Sequence, residues 1–201
     1  MRRGWRLRTR PVVLVQALLA TGLLAVATRA QTPAAGDPFP LAYGTYWIYR
    51  ETYAERLGGI DALDEEETRF EVRGTRSQPF LLQMGGFDPA SGPIERGAGF
   101  IRLAPWTGED ALPLPLEVGR VGPAAAPDAS PWRVEAEEEI EVPAGRFLAL
   151  RVALRGPGTH SVLWIAPGLG VVRETQGPPG LRPELERVLL RSSVLATPGE
   201  R

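Results

Sequence analysis

Residues 132–154 read WRVEAEEEIEVPAGRFLALRVAL, and their alternation decides the fold. Trp132, Val134, Ala136, Ile140 and Val142 are apolar at even positions, while Arg133, Glu135, Glu137, Glu139 and Glu141 are charged at odd ones. Successive side chains of a strand point to opposite faces, so this is a strand half buried in a sheet. Pro143-Ala144-Gly145 breaks the pattern. Proline suits the first central position of a type I turn, and glycine supplies the positive φ of a bulge that closes a three-residue loop. That loop sets Val142 opposite Arg146, Ile140 by Leu148, Ala136 by Val152, Val134 by Leu154, and Glu137 opposite Arg151 on the other face. A two-residue loop would put Leu148 and Leu150 beside glutamates. Cross-strand apolar pairs contribute about 0.2–1 kcal/mol each and a one-residue slip inverts them all, so the three-residue loop is expected.

In this register one residue is out of place. Glu138 lies on the apolar face, between Ala136 and Ile140 and opposite Leu150, where a carboxylate must be paired or face water. A second hairpin follows, with residues 161–166 carrying Val162, Leu163, Trp164 and Ile165, a Pro167-Gly168 turn, and residues 169–174 returning. Proline then glycine is the signature of a type II turn, which needs φ > 0 at its second central residue.

Val142-Pro143-Ala144-Gly145-Arg146-Phe147, followed by Trp164-Ile165-Ala166-Pro167-Gly168-Leu169-Gly170-Val171-Val172-Arg173, resembles a pattern of uncharacterised secreted bacterial proteins. Pro40-Leu41, Gly44, Trp47 and Tyr49-Arg50 resemble the first strand of the same families. The resemblance covers most of the chain after residue 38. It implies an antiparallel sheet curled into an open half-barrel, similar to the lipoprotein-carrier (LolA-like) architecture, and it carries no catalytic residues to transfer. The fold expected is therefore mainly β, a single antiparallel curled sheet built from β-hairpins with little helix.

Outward from the hairpins, the first ten residues hold five arginines and no acid, and residues 12–27 are apolar apart from Gln16, Thr21 and Gly22. These are the n- and h-regions of a secretory signal peptide. The apolar run is shorter than the about 20 residues that span a bilayer, so cleavage after Ala30 is expected, with cleavage after Ala27 as the alternative. Residues 1–30 form the signal segment, 31–39 a flexible lead-in, 40–196 one β-rich domain and 197–201 a frayed tail. Without the signal segment the chain keeps 17 basic residues against 24 acidic ones, a balance that disfavours nucleic acid as a partner. There is no cysteine, hence no disulfide, no thiolate chemistry and no lipid-attachment cysteine.

In between, residues 45–54 form an aromatic strand with Tyr46, Trp47, Tyr49 and Tyr53, and residues 57–67 read as a solvated acidic loop. Strands are expected at 68–74, 80–84 and 100–104, a long loop at 85–99 and an extended edge at 112–116. Residues 184–195 read as a strand in preference to a helix.

The inventory for catalysis is thin. His160 is the one histidine, Ser161 is too near it in the chain to be its nucleophile, and no nucleophile elbow, phosphate loop or dinucleotide fingerprint occurs. One histidine and no cysteine leave no zinc site, the acidic stretch lacks the spacing of a calcium loop, and no cofactor is expected. Trp47, Trp132 and Trp164, with Leu150 and Glu138, are the candidates for a concave binding face, though tryptophans of this kind also serve as core. The expectation is an exported, non-enzymatic envelope protein that is periplasmic or secreted and meets the membrane only through its signal segment. It would hold an apolar or amphiphilic small molecule or a protein partner on its concave sheet. The alternatives are a structural or interaction module without a ligand, and a carboxylate hydrolase pairing Glu138 with a second acid.

Overall fold

The structure is a computed structural model that describes residues 37–57, 60–86, 91–123, 131–156 and 159–195. The expected signal segment, most of the lead-in and the tail lie outside the described residues. Among these residues the order is β1 (Tyr46–Leu57), β2 (Ile60–Gly74), β3 (Pro79–Gly85), β4 (Ser91–Gly97), β5 (Phe100–Leu103), α1 (Ala104–Thr107) and β6 (Leu112–Pro113). Then follow β7 (Arg133–Val142), β8 (Gly145–Gly156), β9 (Thr159–Ala166), β10 (Gly170–Gly177) and β11 (Leu185–Ser192). All belong to one antiparallel sheet of order β6-β5-β4-β3-β2-β1-β11-β10-β9-β8-β7. The first six strands and the last five thus form two half-sheets that meet along a single seam, β1 against β11.

The curl goes further than a half-barrel. After β6 the chain reaches the far edge, where Val121 bridges Arg133, Gly122 N–H donates to Trp132 O (2.8 Å) and Val134 N–H to Arg120 O (2.9 Å). At the other end of β7 the turn folds onto β11, where Ala144 N–H donates to Leu189 O (3.0 Å). The result is a nearly closed barrel whose edge strand β7 is met at both ends. Between those contacts β7 presents Glu137, Glu139 and Glu141 to solvent, charges that discourage another chain from pairing there.

Three sequence expectations are corrected. The β7–β8 turn has two residues, with Val142 opposite Gly145, Ile140 opposite Phe147, Glu139 opposite Leu148 and Glu137 opposite Leu150. Gly145 keeps a positive φ of 136°. The mixed pairs are tolerated because β8 has a second neighbour: Leu150 faces Ile165 of β9, and both are buried. Apolar alignment with β7 is recovered by a bulge at Glu135, beyond which Val134 meets Val152. In the stretch expected as an acidic loop at 57–67, Leu57 and residues 60–67 are strand, since β1 pairs with β2 out to Leu57 and Ile60 and satisfies its backbone while the carboxylates of residues 64–67 stay in water. The loop expected at 85–99 contains β4, whose Gly and Pro content hid it. β4 pairs first with β3 (Leu82 with Ser91) and then with β5 (Ile94 with Leu103), so Pro93 stands near the changeover.

Other expectations hold. Leu169 N–H donates to Ala166 O at 3.0 Å and Gly168 has φ 76°, as a type II turn requires. Residues 185–192 are strand.

The interior is aromatic. α1 is a single turn with Pro105 as its second residue, and it carries Trp106 into the barrel. The indole stands edge-on to Trp47 (5.8 Å between ring centres) and Tyr49 (6.3 Å), and tilted against Phe70 (5.0 Å). Gly92 makes this possible, because a Cβ there would collide with Ala104 of α1. Around these rings pack Leu81, Ile101, Leu103 and Leu112 from one half-sheet and Val134, Val152, Leu163 and Ile165 from the other.

Candidate functional site

Residues directly opposite one another on adjacent strands share a face, so the pairings place each candidate. Trp47 is wholly buried on β1, and its Nε1 donates to Leu169 O at 2.6 Å. Gly170 permits this approach, with Trp47 Nε1 3.4 Å from where its Cβ would stand. Trp132 and Leu150 are also buried in the core. Glu138 and Trp164 lie elsewhere. Ala136, Arg151, Trp164 and Arg173 form one cross-strand row over β7, β8, β9 and β10, on the face opposite Leu150, Val152 and Leu163. Glu138 belongs to that outer face, opposite Ala149, and not with Leu150 and Val152 as the expected register had it.

On this half-buried outer face Trp164 Nε1 donates to Glu138 Oε1, and the Arg173 guanidinium lies over the indole, 5.0 Å from its centre. Arg173 also pairs with Glu186 at 2.6 Å. Nearby, Glu135 accepts two hydrogen bonds from Arg155 (2.7 and 2.9 Å) and stands 3.7 Å from Arg151. Those bonds pull the Glu135 carboxyl below the usual range, against the opposing effect of partial burial. Burial and the neighbouring arginines hold His160 below its ordinary value, which keeps the imidazole neutral at neutral pH, and its Nε2 has no hydrogen-bond partner. The outer face therefore offers a self-paired charge network and an indole already engaged.

A second charged network lies on the inner face. Arg187 of β11 is the direct cross-strand neighbour of Glu51 of β1 across the seam and of Glu174 of β10 on its other side. They are 1%, 5% and 0% exposed. Arg187 donates from Nη2 to Glu51 (3.0 Å) and from Nη1 to Glu174 (2.9 Å), and its guanidinium carbon lies 5.4 Å from the centre of the Phe70 ring. Thr68 Oγ1 donates to the other Glu51 oxygen at 2.5 Å. A Cβ built on Gly86 would strike both Thr68 Oγ1 and Glu51 Oε2 and come within 3.3 Å of Gln83 Nε2, so this polar cluster needs a glycine beside it. Burial opposes the charge on Arg187, but the two carboxylates outweigh it and raise its pKa. Tyr49 donates to Val171 O (2.7 Å), and burial, reinforced by Glu174, pushes its hydroxyl pKa far up.

Sequence reasoning missed this triad. The signal for Glu51 was present, since it stands two and four residues on from Tyr49 and Trp47 and so shares their inward face. Arg187 and Glu174 become visible as its partners only once β11 is known to lie between β1 and β10.

At the surface, where β4 leaves β3, a groove of about 730 Å³ is lined by Gly74, Pro79, Phe80, Pro93 and Ile94 among others. Phe80 is 37% exposed there. Among the described residues no cluster of His, Cys, Asp or Glu could hold a metal ion, and no helix is long and apolar enough to cross a membrane.

No protein-family model matches the chain, and no curated protein matches it by sequence. Among solved structures it is similar to a candidate lipoprotein from Parabacteroides distasonis ATCC 8503, with 16% identity, a TM-score of 0.46, and 78% of this chain and 98% of that one covered. It is also similar to a candidate exported protein with a YmcC-like fold from Bacteroides fragilis NCTC 9343, with 13% identity, a TM-score of 0.44, and 77% of this chain and 98% of that one covered.

Proposed function

We propose that the chain is an exported, non-enzymatic envelope protein that acts as an interaction module through its outer surface. The observation that carries this reading is Trp106, packed against Trp47, Tyr49 and Phe70 where a ligand on the concave sheet would have to sit. Of the aromatic candidates for a binding face, Trp47 is thus engaged by Trp106, and Trp164 by Glu138 and Arg173. Export rests on the arginine-rich, then apolar, amino-terminal sequence. The non-enzymatic reading is supported by a lone histidine held neutral beside arginines and by inner carboxylates already committed to Arg187. A small-molecule reading has one specific place left, the groove between β3 and β4 with its exposed Phe80.

Native mass spectrometry of the protein purified from its own host tests both parts of the proposal. The expected mass is that of a chain beginning at Gln31 or Thr28, free or with a protein partner. A full-length chain recovered with the inner membrane would contradict export, and a retained lipid-like molecule would contradict the interaction module.

A further inference from the structure

The inner triad has an uneven charge count. Two carboxylates share one guanidinium, so with all three ionised the barrel interior holds one excess negative charge, a costly state in a medium that solvates ions poorly. The charged or titratable groups facing it from neighbouring strands do not supply the missing cation. β1 offers Tyr49, which donates to a backbone carbonyl, and β2 offers Glu66, which stands opposite Glu51 in solvent and adds like charge. β2 and β3 otherwise present the neutral Thr68 and Gln83, β10 adds Gln176, and β9 sets Leu163 opposite Glu174.

The two carboxylates are not equivalent. Glu51 has a donor on each oxygen, Arg187 on one and Thr68 on the other. Glu174 has Arg187 on Oε2, but on Oε1 only the Gln176 amide at 3.3 Å. A half-turn of that amide would present its oxygen, an acceptor for a proton on Glu174 Oε1.

We propose that Glu174 takes up a proton more readily than an ordinary glutamate, so that the triad is a proton-dependent staple joining β1, β11 and β10. The staple matters because, beside the β1–β11 seam, it also ties β10 to β11, which pair at only four positions, from Arg173–Val188 to Gln176–Leu185. Burial raises the Glu174 pKa, and Glu51 adds to the rise while Arg187 opposes it. A folded-state value above the unfolded one, about 4.3 for glutamate, sets the sign. The stabilisation is fully present below the unfolded value and is lost as pH rises through the folded one, so the triad tightens on mild acidification and loosens in alkali.

Urea unfolding of the wild type and Glu174→Gln, at about pH 5 and about pH 7.5, tests this. Glutamine is neutral and keeps an acceptor for Arg187. The expected result is a variant at least as stable as wild type at the higher pH, with its advantage diminished or reversed at the lower. A variant weaker than wild type by the same margin at both values would overturn the proposal. If the variant does not fold, or is at least as stable as wild type by the same margin at both values, carboxyl-¹³C NMR of glutamate-labelled wild type decides. One buried glutamate titrating above the ordinary range is expected, and every glutamate titrating within it would overturn the proposal.

Discussion

Two charged networks on opposite faces of the same sheet use the same residue types and respond to pH in opposite ways. On the outer face Glu135 is held between Arg155 and Arg151, partly in water, and its pKa falls because the arginine bonds outweigh partial burial. On the inner face Glu174 is wholly buried, and its pKa rises because the loss of water outweighs Arg187. A lowered carboxylate stabilises the fold above its unfolded pKa and loses that contribution as pH falls, while a raised one does the reverse. Burial, and not the identity of the partner, sets the sign. The same contrast orders the energetics, since exposed pairs are screened and flexible whereas a buried charge stripped of its partner stays unsolvated.

The largest effect is expected on removing the shared cation. Arg187→Met fills similar space but leaves Glu51 and Glu174 facing each other without it, and should cost about 3–5 kcal/mol in a urea titration, insensitive to salt. Next comes Glu138→Gln. The amide oxygen still accepts from Trp164 Nε1, so only the charge assistance goes, and the cost should be about 1 kcal/mol with the unfolding slope unchanged. The smallest effect belongs to Arg155→Met. Arg155 is more than half exposed, so its pair with Glu135 is worth about 0.2–1 kcal/mol at low salt, and added salt should erase it. If the first and third variants gave equal losses, the division between the faces would fail.

Much of the sheet was legible because strand pattern and turn chemistry are local. Alternation marked β7, and Pro167-Gly168 marked the turn between β9 and β10. The register at Pro143-Ala144 was not legible, because pairing β8 with β7 alone ignored β9, which supplies the apolar neighbours of Leu150 and Val152. β4 escaped because Gly92 and Pro93 read as loop, yet Gly92 is what lets α1 approach. For the candidate site, parity put Glu138 apart from Glu137 and Glu139, but its partner Trp164 lies on a strand whose register sequence could not fix. The inner triad joins residues 51, 174 and 187, and only the placing of β11 between β1 and β10 brings all three together.

The central claim is that aromatic packing around Trp106 fills the barrel, leaving function to the outer surface. Titration with a fluorescent fatty-acid probe, for the wild type and Trp106→Ala side by side, tests it directly. Removing the indole leaves an apolar cavity of the kind that accepts small hydrophobic guests. No saturable binding by the wild type and saturable binding by Trp106→Ala are expected. Saturable binding by the wild type, lost or weakened in Trp106→Ala, would contradict it and make the barrel interior a ligand site.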